Sequence, residues 1–113
     1  MVDSQLTKRG ILDKNVLNAI KTVPRHEFVS FSYRSMAYID GPLPIGKGQT
    51  ISQPYIIGYM TEALKVETYH TVLEIGTGCG YQTAVLSLLA KKVISLEIHN
   101  SLAVTAEKRL SRL

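Results

Sequence analysis

Three glycines stand at alternate positions directly after a short apolar segment of the chain, in the order Gly76, Gly78 and Gly80. Because glycine has no Cβ, a turn of this kind can fold tightly and approach a ligand closely. The preceding residues 72–75 predict a buried strand, and a helical pattern begins at Tyr81. A strand, a glycine turn and a helix in this order typically hold a nucleotide-like cofactor at the carboxyl end of the strand.

The spacing of these glycines separates two classes of cofactor. The dinucleotide pattern G-x-G-x-x-G would require glycine at position 81, where this chain has Tyr81. Without a diphosphate to hold, a cofactor made of adenosine and an amino-acid tail fits better, and S-adenosylmethionine is that combination. We therefore expect the turn to contact this cofactor through Gly76, Thr77, Gly78 and Gly80.

Two carboxylates are candidates for the same cofactor site. Glu74 lies inside the apolar strand, where a charge is costly unless it is paired. It is expected to pair with a ligand ammonium group or, alternatively, with backbone N–H groups of its own loop. Glu97 follows Gly76 by 21 residues, close to the spacing of about 20 at which an acid binds the ribose hydroxyls. The alternative for Glu97 is a solvated acid at a strand end.

The composition limits the classes of protein to which this chain can belong. A length of 113 residues allows one domain at most, and 45% apolar residues suffice for a core. The net charge of +4 comes from scattered basic residues, so we expect no nucleic-acid partner. Cys79 is the single cysteine, which excludes an internal disulfide and fits a reducing compartment.

Targeting segments and metal ligands are absent from the sequence pattern. No apolar run has the length of a signal-peptide core or of a membrane span. The three histidines are too far apart to form a ligand set, so we expect no metal site. These features together predict a cytoplasmic protein with no membrane partner.

The composition of the chain changes at about residue 54. Residues 1–54 hold all four prolines, and we expect them to form a helical and loop region on the substrate side of a single domain. Within it, Asp13 is expected to cap a helix that ends before Pro24. Residues 41–48 are so rich in glycine and proline that the sequence predicts a loop there.

Residues 55–113 are expected to begin the cofactor-binding α/β part of that domain. A helix over about residues 55–65 should bury an apolar face made of Ile56, Ile57, Met60 and Leu64. A β-α-β-α pattern follows, with strands at 71–75 and 93–97 and with helices at 81–90 and from a cap at Asn100. The last helix should bury Leu102, Ala106, Leu110 and Leu113.

Strands that alternate with helices in this way predict a parallel sheet with right-handed crossovers. Two strands are too few for a doubly wound sheet, whose central strands need neighbours on both sides. We therefore expect the sequence to be the N-terminal part of a longer protein, and the 113-residue chain alone to be inactive and at best marginally stable.

Three segments, in order along the chain, resemble the motifs of one enzyme family. They are residues 23–29 (VPRHEFV), 43–54 (LPIGKGQTISQP) and 72–84 (VLEIGTGCGYQTA). Together they resemble protein-L-isoaspartate O-methyltransferase, a repair enzyme for isomerised aspartyl residues. The similarity covers the chain from about Gly10 to Leu113.

The resemblance implies a fold, a reaction and a partner. The fold class is α/β, a Rossmann-like class I S-adenosylmethionine-dependent methyltransferase fold that is incomplete here. The implied reaction is methyl transfer from S-adenosylmethionine to the free carboxylate of L-isoaspartyl residues in damaged proteins and peptides, by an enzyme that is monomeric when complete. Alternatives are a class I methyltransferase acting on RNA or a small molecule, and an inactive truncated module that binds cofactor.

The resemblance also assigns roles on the substrate side. Ser52 falls where the family has its active-site serine, although its hydroxyl could instead cap the helix that begins near Pro54. Thr50 supplies a second hydroxyl, while Gln49 and Gln53 are candidates for binding the peptide backbone. No acid–base pair is evident, which fits a reaction whose acceptor carboxylate is already ionised at neutral pH.

Overall fold

The computed structural model describes every residue from Met1 to Leu113. Its four longer helices are α1 (Lys14–Thr22), α2 (Pro54–Leu64), α3 (Tyr81–Ser87) and α4 (Asn100–Ser111). Its four strands are β1 (Leu43–Gly46), β2 (Gln49–Ile51), β3 (Thr71–Ile75) and β4 (Lys92–Leu96). Short helical turns cover Val2–Leu6, Thr7–Arg9, Arg25–Phe28 and Phe31–Met36. None of the helices combines the length and the apolar character that crossing a bilayer would need.

The predicted parallel pairing is confirmed between β3 and β4, with α3 as the crossover between them. The register places Glu74 opposite Ser95, so these two polar side chains lie side by side on one face of the sheet. That face is partly covered. The opposite face is apolar and open to solvent, and its exposed side chains are Leu73, Ile75, Ile94 and Leu96.

One hydrophobic core joins the proline-containing part of the chain to the part that follows it. The N-terminal turns, α1 and the segment up to β2 contribute most of the 17 buried residues. Ile57 of α2 also belongs to this core, and the remaining members lie in the turn before α3, in α3 itself or just after it: Cys79, Tyr81, Ala84, Val85 and Leu89. The start of α3 and the strand that precedes Ser52 therefore border the same core.

The start of α1 follows the sequence prediction. Asp13 is the N-cap, and its Oδ1 accepts hydrogen bonds from the backbone N–H groups of Asn15 (2.9 Å) and Val16 (3.2 Å). A second carboxylate supports this end of the helix, because Glu62 Oε2 on α2 accepts the N–H groups of Leu12 and Asp13 at 2.8 Å each. The Glu62 hydrogen bonds attach the start of α1 to α2, and the two carboxylates together satisfy four backbone donors.

The predicted loop over residues 41–48 is wrong. Strands β1 and β2 pair antiparallel and form a hairpin, with Leu43 opposite Ile51. The two-residue turn Lys47–Gly48 has positive φ at both positions (55° and 68°), a turn that suits the twist of a hairpin. Pro44 is tolerated because a two-stranded sheet consists of edge strands, in which a missing N–H can face solvent.

Helix α2 also departs from the expectation, in the face that it buries. The buried side is Pro54, Ile57, Gly58 and Thr61, whereas Ile56, Met60 and Leu64 are exposed. Gly58 faces the Leu6 side chain, since a Cβ built at Gly58 would lie 3.0 Å from Leu6 Cδ2. Thr61 can be buried because its hydroxyl donates to the Ile57 carbonyl at 2.6 Å.

Two helix ends differ from the prediction by a few residues. Helix α3 ends at Ser87 and not at Ala90, because the last turn tightens, with the N–H groups of Leu88 and Leu89 donating three residues back. Helix α4 starts at Asn100, but its N-cap is His99 and no side chain caps it. Leu102 and Ala106 are buried and Leu110 is half-buried, whereas Leu113 lies beyond the helix and is exposed.

Replacing Asp13 tests its role as the N-cap of α1. We expect Asp13→Ala to lower the free energy of unfolding by about 1 kcal/mol, because two backbone N–H groups lose their acceptor. Lys14→Ala at the exposed next position serves as the control and should change little. Urea unfolding followed by circular dichroism measures both, and equal stability of the two variants would contradict the capping role.

Candidate functional site

The glycine turn uses its own backbone donors to hold itself against β4. The N–H groups of Gly76 and Thr77 both donate to the Leu96 carbonyl, at 2.7 and 3.1 Å, and that of Gly80 donates to the Thr77 carbonyl at 2.9 Å. The N–H of Gly78 donates to Glu97 Oε1 at 2.7 Å. Since these donors are already engaged, the turn does not present the row of free N–H groups that binds a diphosphate.

Two of the glycines are required by close packing as well as by conformation. Gly78 has φ +56°, and a Cβ there would lie 3.3 Å from Ile45 Cδ1 on the hairpin. Gly80 has φ +92°, and its Cβ would lie 3.3 Å from the Cβ of Ala106 on α4. The turn is therefore packed between the hairpin and α4, and a side chain at either position would be strained by the positive φ and would force its neighbour to shift by a few tenths of an ångström.

Glu97 lies one residue beyond β4 and holds both the turn and the start of α4. Its Oε1 accepts the Gly78 N–H, and its Oε2 accepts the His99 N–H at 2.9 Å. Hydrogen bonds from the N–H groups of His99 and Gly78 favour the ionised form, so the pKa of Glu97 is lowered. Each carboxylate oxygen keeps a lone pair that a ligand hydroxyl can use.

Glu74 sits in a network of hydroxyl groups on the covered face of the sheet. Its Oε1 accepts hydrogen bonds from Ser95 Oγ (2.6 Å) and from Thr83 Oγ1, while Ser95 Oγ also lies 2.5 Å from Thr77 Oγ1. The network connects β3, the turn, α3 and β4. Glu74 is thus held by side-chain hydroxyls and not by backbone N–H groups of its loop, and no protein group bonds to its Oε2.

A shallow cleft of about 400 Å³ brings together predicted residues from both sides of the chain. Ser52, half-buried after β2, lines it with Glu74 and Gly76. The alternative role of Ser52 as a helix cap is wrong, because Gln53 is the N-cap of α2 and no side chain caps that helix. Pro54 at the first helical position removes one of the donors that a cap would satisfy.

The other predicted residues lie outside this cleft. Thr77 and Glu97 line a neighbouring open cleft of about 470 Å³ beside α4. Gln49 and Thr50 are exposed on β2. Gln53 donates its amide to Asp40, which also forms an ion pair with Arg9.

Sequence reasoning missed two groups of residues that position the site. Ser95 and Thr83 hold Glu74, and pairing the two predicted strands in parallel register would have placed Ser95 beside it. Arg25 is fully buried and contacts the Ser52 carbonyl and the ring of Tyr81. The motif of residues 23–29 contains this arginine, but nothing in the pattern distinguishes it from a surface residue.

The geometry supports neither nucleophilic catalysis by the cysteine nor a metal site. Burial raises the pKa of the Cys79 thiol, which makes it a poor nucleophile and fits its place in the core. No three side chains among histidine, cysteine, aspartate and glutamate are grouped closely enough to hold a metal ion.

Comparison with known proteins identifies the family. The family model for protein-L-isoaspartate(D-aspartate) O-methyltransferase matches residues 1–113. A protein-L-isoaspartate O-methyltransferase of Synechococcus sp. (strain JA-2-3B'a(2-13)) is 57% identical over 113 residues, which are all of this chain and 46% of that protein. Protein-L-isoaspartate O-methyltransferase 1 of Syntrophobacter fumaroxidans is 50% identical over 113 residues, again all of this chain and 53% of that protein.

Solved structures give the same result for the fold. A Plasmodium falciparum chain assigned to protein-L-isoaspartate O-methyltransferase, in complex with S-adenosyl-L-homocysteine, superposes with a TM-score of 0.85 at 26% identity, over 98% of this chain and 54% of that one. A second protein-L-isoaspartate O-methyltransferase superposes with a TM-score of 0.85 at 32% identity. The match covers 99% of this chain and 38% of that one. The expected methyltransferase-type α/β fold is confirmed.

The chain spans about half the length of the curated relatives that it matches. The family model nevertheless covers it from end to end, and the three motifs lie where the structure places the glycine turn, the hairpin and the buried arginine. On this evidence the chain belongs to the protein-L-isoaspartate(D-aspartate) O-methyltransferase family.

Proposed function

We propose that this protein transfers a methyl group from S-adenosylmethionine to the free carboxylate of L-isoaspartyl residues in damaged proteins and peptides. The observation that carries the proposal is the shared cleft, in which Ser52 from the hairpin side meets Glu74 and Gly76 from the glycine turn. An acceptor group held by Ser52 and a cofactor held by the turn would therefore be neighbours. Family membership supports the same reaction.

The residues of the turn fit S-adenosylmethionine better than a phosphate-containing cofactor. Most of the turn's N–H groups are already engaged, whereas both oxygens of Glu97 keep lone pairs for a ribose diol. Glu74 Oε2 is free to accept from the ammonium group of the amino-acid tail. A Cβ at Gly76 would meet no atom within 4 Å, so a ligand can approach its backbone. When bound, the cofactor supplies a methyl group activated by its sulfonium.

The chemistry asks for positioning and not for proton transfer. A side-chain-like carboxylate is ionised at neutral pH and is already a nucleophile, so no general base is needed. The protein has to orient this carboxylate and exclude part of its water. The Ser52 hydroxyl is suited to the first task, because it is half-buried in the cleft and can donate a hydrogen bond to the acceptor.

The other residues proposed to bind the substrate differ in how accessible they are to a peptide. Gln49 and Thr50 are exposed on β2, so a peptide lying along the hairpin would reach both. Gln53 is engaged with Asp40, and binding a peptide would require it to give up that hydrogen bond. The finer expectations of a cytoplasmic, monomeric enzyme that has no nucleic-acid partner belong to the same proposal.

The decisive experiment compares two peptides that differ only in one linkage. The purified full-length protein, given radiolabelled S-adenosylmethionine, should methylate an L-isoaspartyl peptide and leave the matching L-aspartyl peptide unlabelled. Equal labelling of both peptides, or none of either by a protein that binds the cofactor in calorimetry, would refute the proposed substrate. Labelling of RNA instead would identify another class I methyltransferase.

The ribose role of Glu97 is tested by removing its charge. We expect Glu97→Gln to weaken cofactor binding by about 1–3 kcal/mol, because charge-assisted hydrogen bonds to the ribose are lost. Since the pKa of Glu97 is lowered in the folded protein, wild-type affinity should persist as the pH falls to the ordinary glutamate pKa and decline only below it. Calorimetric titration measures both effects.

Glu107→Gln is the matched control for this experiment. Glu107 lies on α4, is exposed and lines the same cleft beside α4 as Glu97. The variant therefore removes the same charge without altering a residue that contacts the turn. Equal losses of affinity in the two variants would indicate a general electrostatic effect and would remove the specific role of Glu97.

The role of Ser52 is tested by separating turnover from cofactor affinity. We expect Ser52→Ala to lower kcat/KM for the isoaspartyl peptide by about 10-fold or more while leaving cofactor affinity unchanged, because its proposed partner is the acceptor carboxylate. Ser101→Ala, at an exposed position on α4, is the control and should behave as wild type. Unchanged peptide kinetics in Ser52→Ala would exclude a direct role.

A further inference from the structure

Arg25 is a buried cation without an anionic partner. Its side chain has no solvent-accessible surface, and none of the ion pairs of the protein includes it. Taking a guanidinium out of water is costly unless its donors are satisfied. Burial accordingly lowers the pKa of Arg25, although an arginine stays charged in proteins.

Backbone carbonyls and an aromatic ring contact this guanidinium in place of a carboxylate, and its Nη1 is left without a hydrogen-bond partner. Arg25 Nε donates to the Ala37 carbonyl at 2.6 Å, and Nη2 donates to the Ser52 carbonyl at 2.8 Å. The guanidinium carbon lies 5.0 Å from the centre of the Tyr81 ring, within range of a cation–π interaction. Burial raises the pKa of Tyr81 to about 12, so this ring is neutral and not a tyrosinate counter-ion.

These contacts join three segments that meet at the candidate site. Ala37 follows the helical turn Phe31–Met36, Ser52 lies between β2 and α2, and Tyr81 is the first residue of α3, directly after the glycine turn. Phe28 packs edge-on against the Tyr81 ring, with the two ring centres 5.7 Å apart. Arg25 therefore connects the residue proposed to hold the acceptor with the element that begins at the cofactor turn.

We infer that Arg25 is a positioning residue that fixes Ser52 relative to the glycine turn. A hydrogen bond to the Ser52 carbonyl restricts the backbone of that residue, and hence the direction of its hydroxyl in the cleft. The planar guanidinium can bond two carbonyls in fixed directions while stacking on Tyr81, which an ammonium group cannot do. The inference rests on the proposed function of Ser52 and extends it to a residue outside the cleft.

A purely structural role for Arg25 makes different predictions. Loss of a buried structural residue lowers the fraction of folded protein and the melting temperature, but each folded molecule should keep its kinetics. A positioning role changes the kinetics of the folded molecules themselves. A misplacement of about 1 Å in a reacting geometry can reduce the rate by about 100-fold.

The test is Arg25→Lys, which keeps the charge and removes the planar fork. Turnover is normalised to the number of cofactor-binding sites found by calorimetry. We expect kcat/KM for the isoaspartyl peptide to fall by about 10–100-fold, while cofactor Kd stays within about threefold of wild type. Arg34→Lys, an exposed arginine beside Glu27, is the matched control and should keep wild-type kinetics.

Normal peptide kinetics per folded site in Arg25→Lys would overturn the inference. If that variant does not fold, Tyr81→Leu removes the ring beneath the guanidinium and keeps an apolar side chain. It should reduce kcat/KM in the same direction, and wild-type kinetics there would overturn the inference equally.

A readout independent of activity separates this inference from the proposed function. The amide nitrogen shift of Gln53 senses the hydrogen bond that the preceding Ser52 carbonyl accepts. In Arg25→Lys this shift should move while the amides of α1 stay in place, whether or not the wild-type protein methylates the peptide. No change at Gln53 would show that Arg25 does not set the Ser52 peptide group, and absent methylation by the wild type alone would count only against the proposed function.

Discussion

The end of β4 determines where the glycine turn can lie. The Leu96 carbonyl accepts two N–H groups of the turn, and the next residue, Glu97, accepts a third through its side chain. The parallel register with β3 brings these acceptors beside Gly76, because the carboxyl ends of parallel strands meet at one edge. The conformation of the turn, the start of α4 and the orientation of the acidic side chain all depend on this one set of hydrogen bonds.

Most of the secondary structure could be predicted because local patterns and tertiary packing agree there. The bounds of β3 and the cap at Asp13 come from short-range chemistry, a run of apolar residues and a side-chain acceptor before a helix. The hairpin could not be predicted from composition, since proline at an edge position and glycine in a two-residue turn are also the signals of a loop. Only the pairing of β1 with β2 distinguishes a hairpin from a loop here.

In the candidate site, too, the residues recognisable from local spacing differ from those that only tertiary pairing brings together. Glu74, Glu97 and the glycines are recognisable because their spacing follows from one unit of strand, turn, helix and second strand. Their hydrogen-bond partners are not, since Ser95 is 21 residues from Glu74 and becomes its neighbour only when the strands pair. Arg25 is the extreme case, because its partners lie 12 and 27 residues away, and nothing local indicates that a charged residue is buried.

Glu74 and Arg25 are both held by neutral groups. Glu74 is bonded by hydroxyls, and Arg25 by carbonyls and a ring, so neither is neutralised by the other or by an ion pair. Hydrogen bonds with neutral partners leave the charge itself uncancelled. A carboxylate held in this way remains attractive to a cationic ligand, and a guanidinium held in this way polarises the carbonyls that it contacts. Under the proposed function, this arrangement would attract a cationic cofactor at Glu74 and hold in place the residue proposed to orient an anionic acceptor.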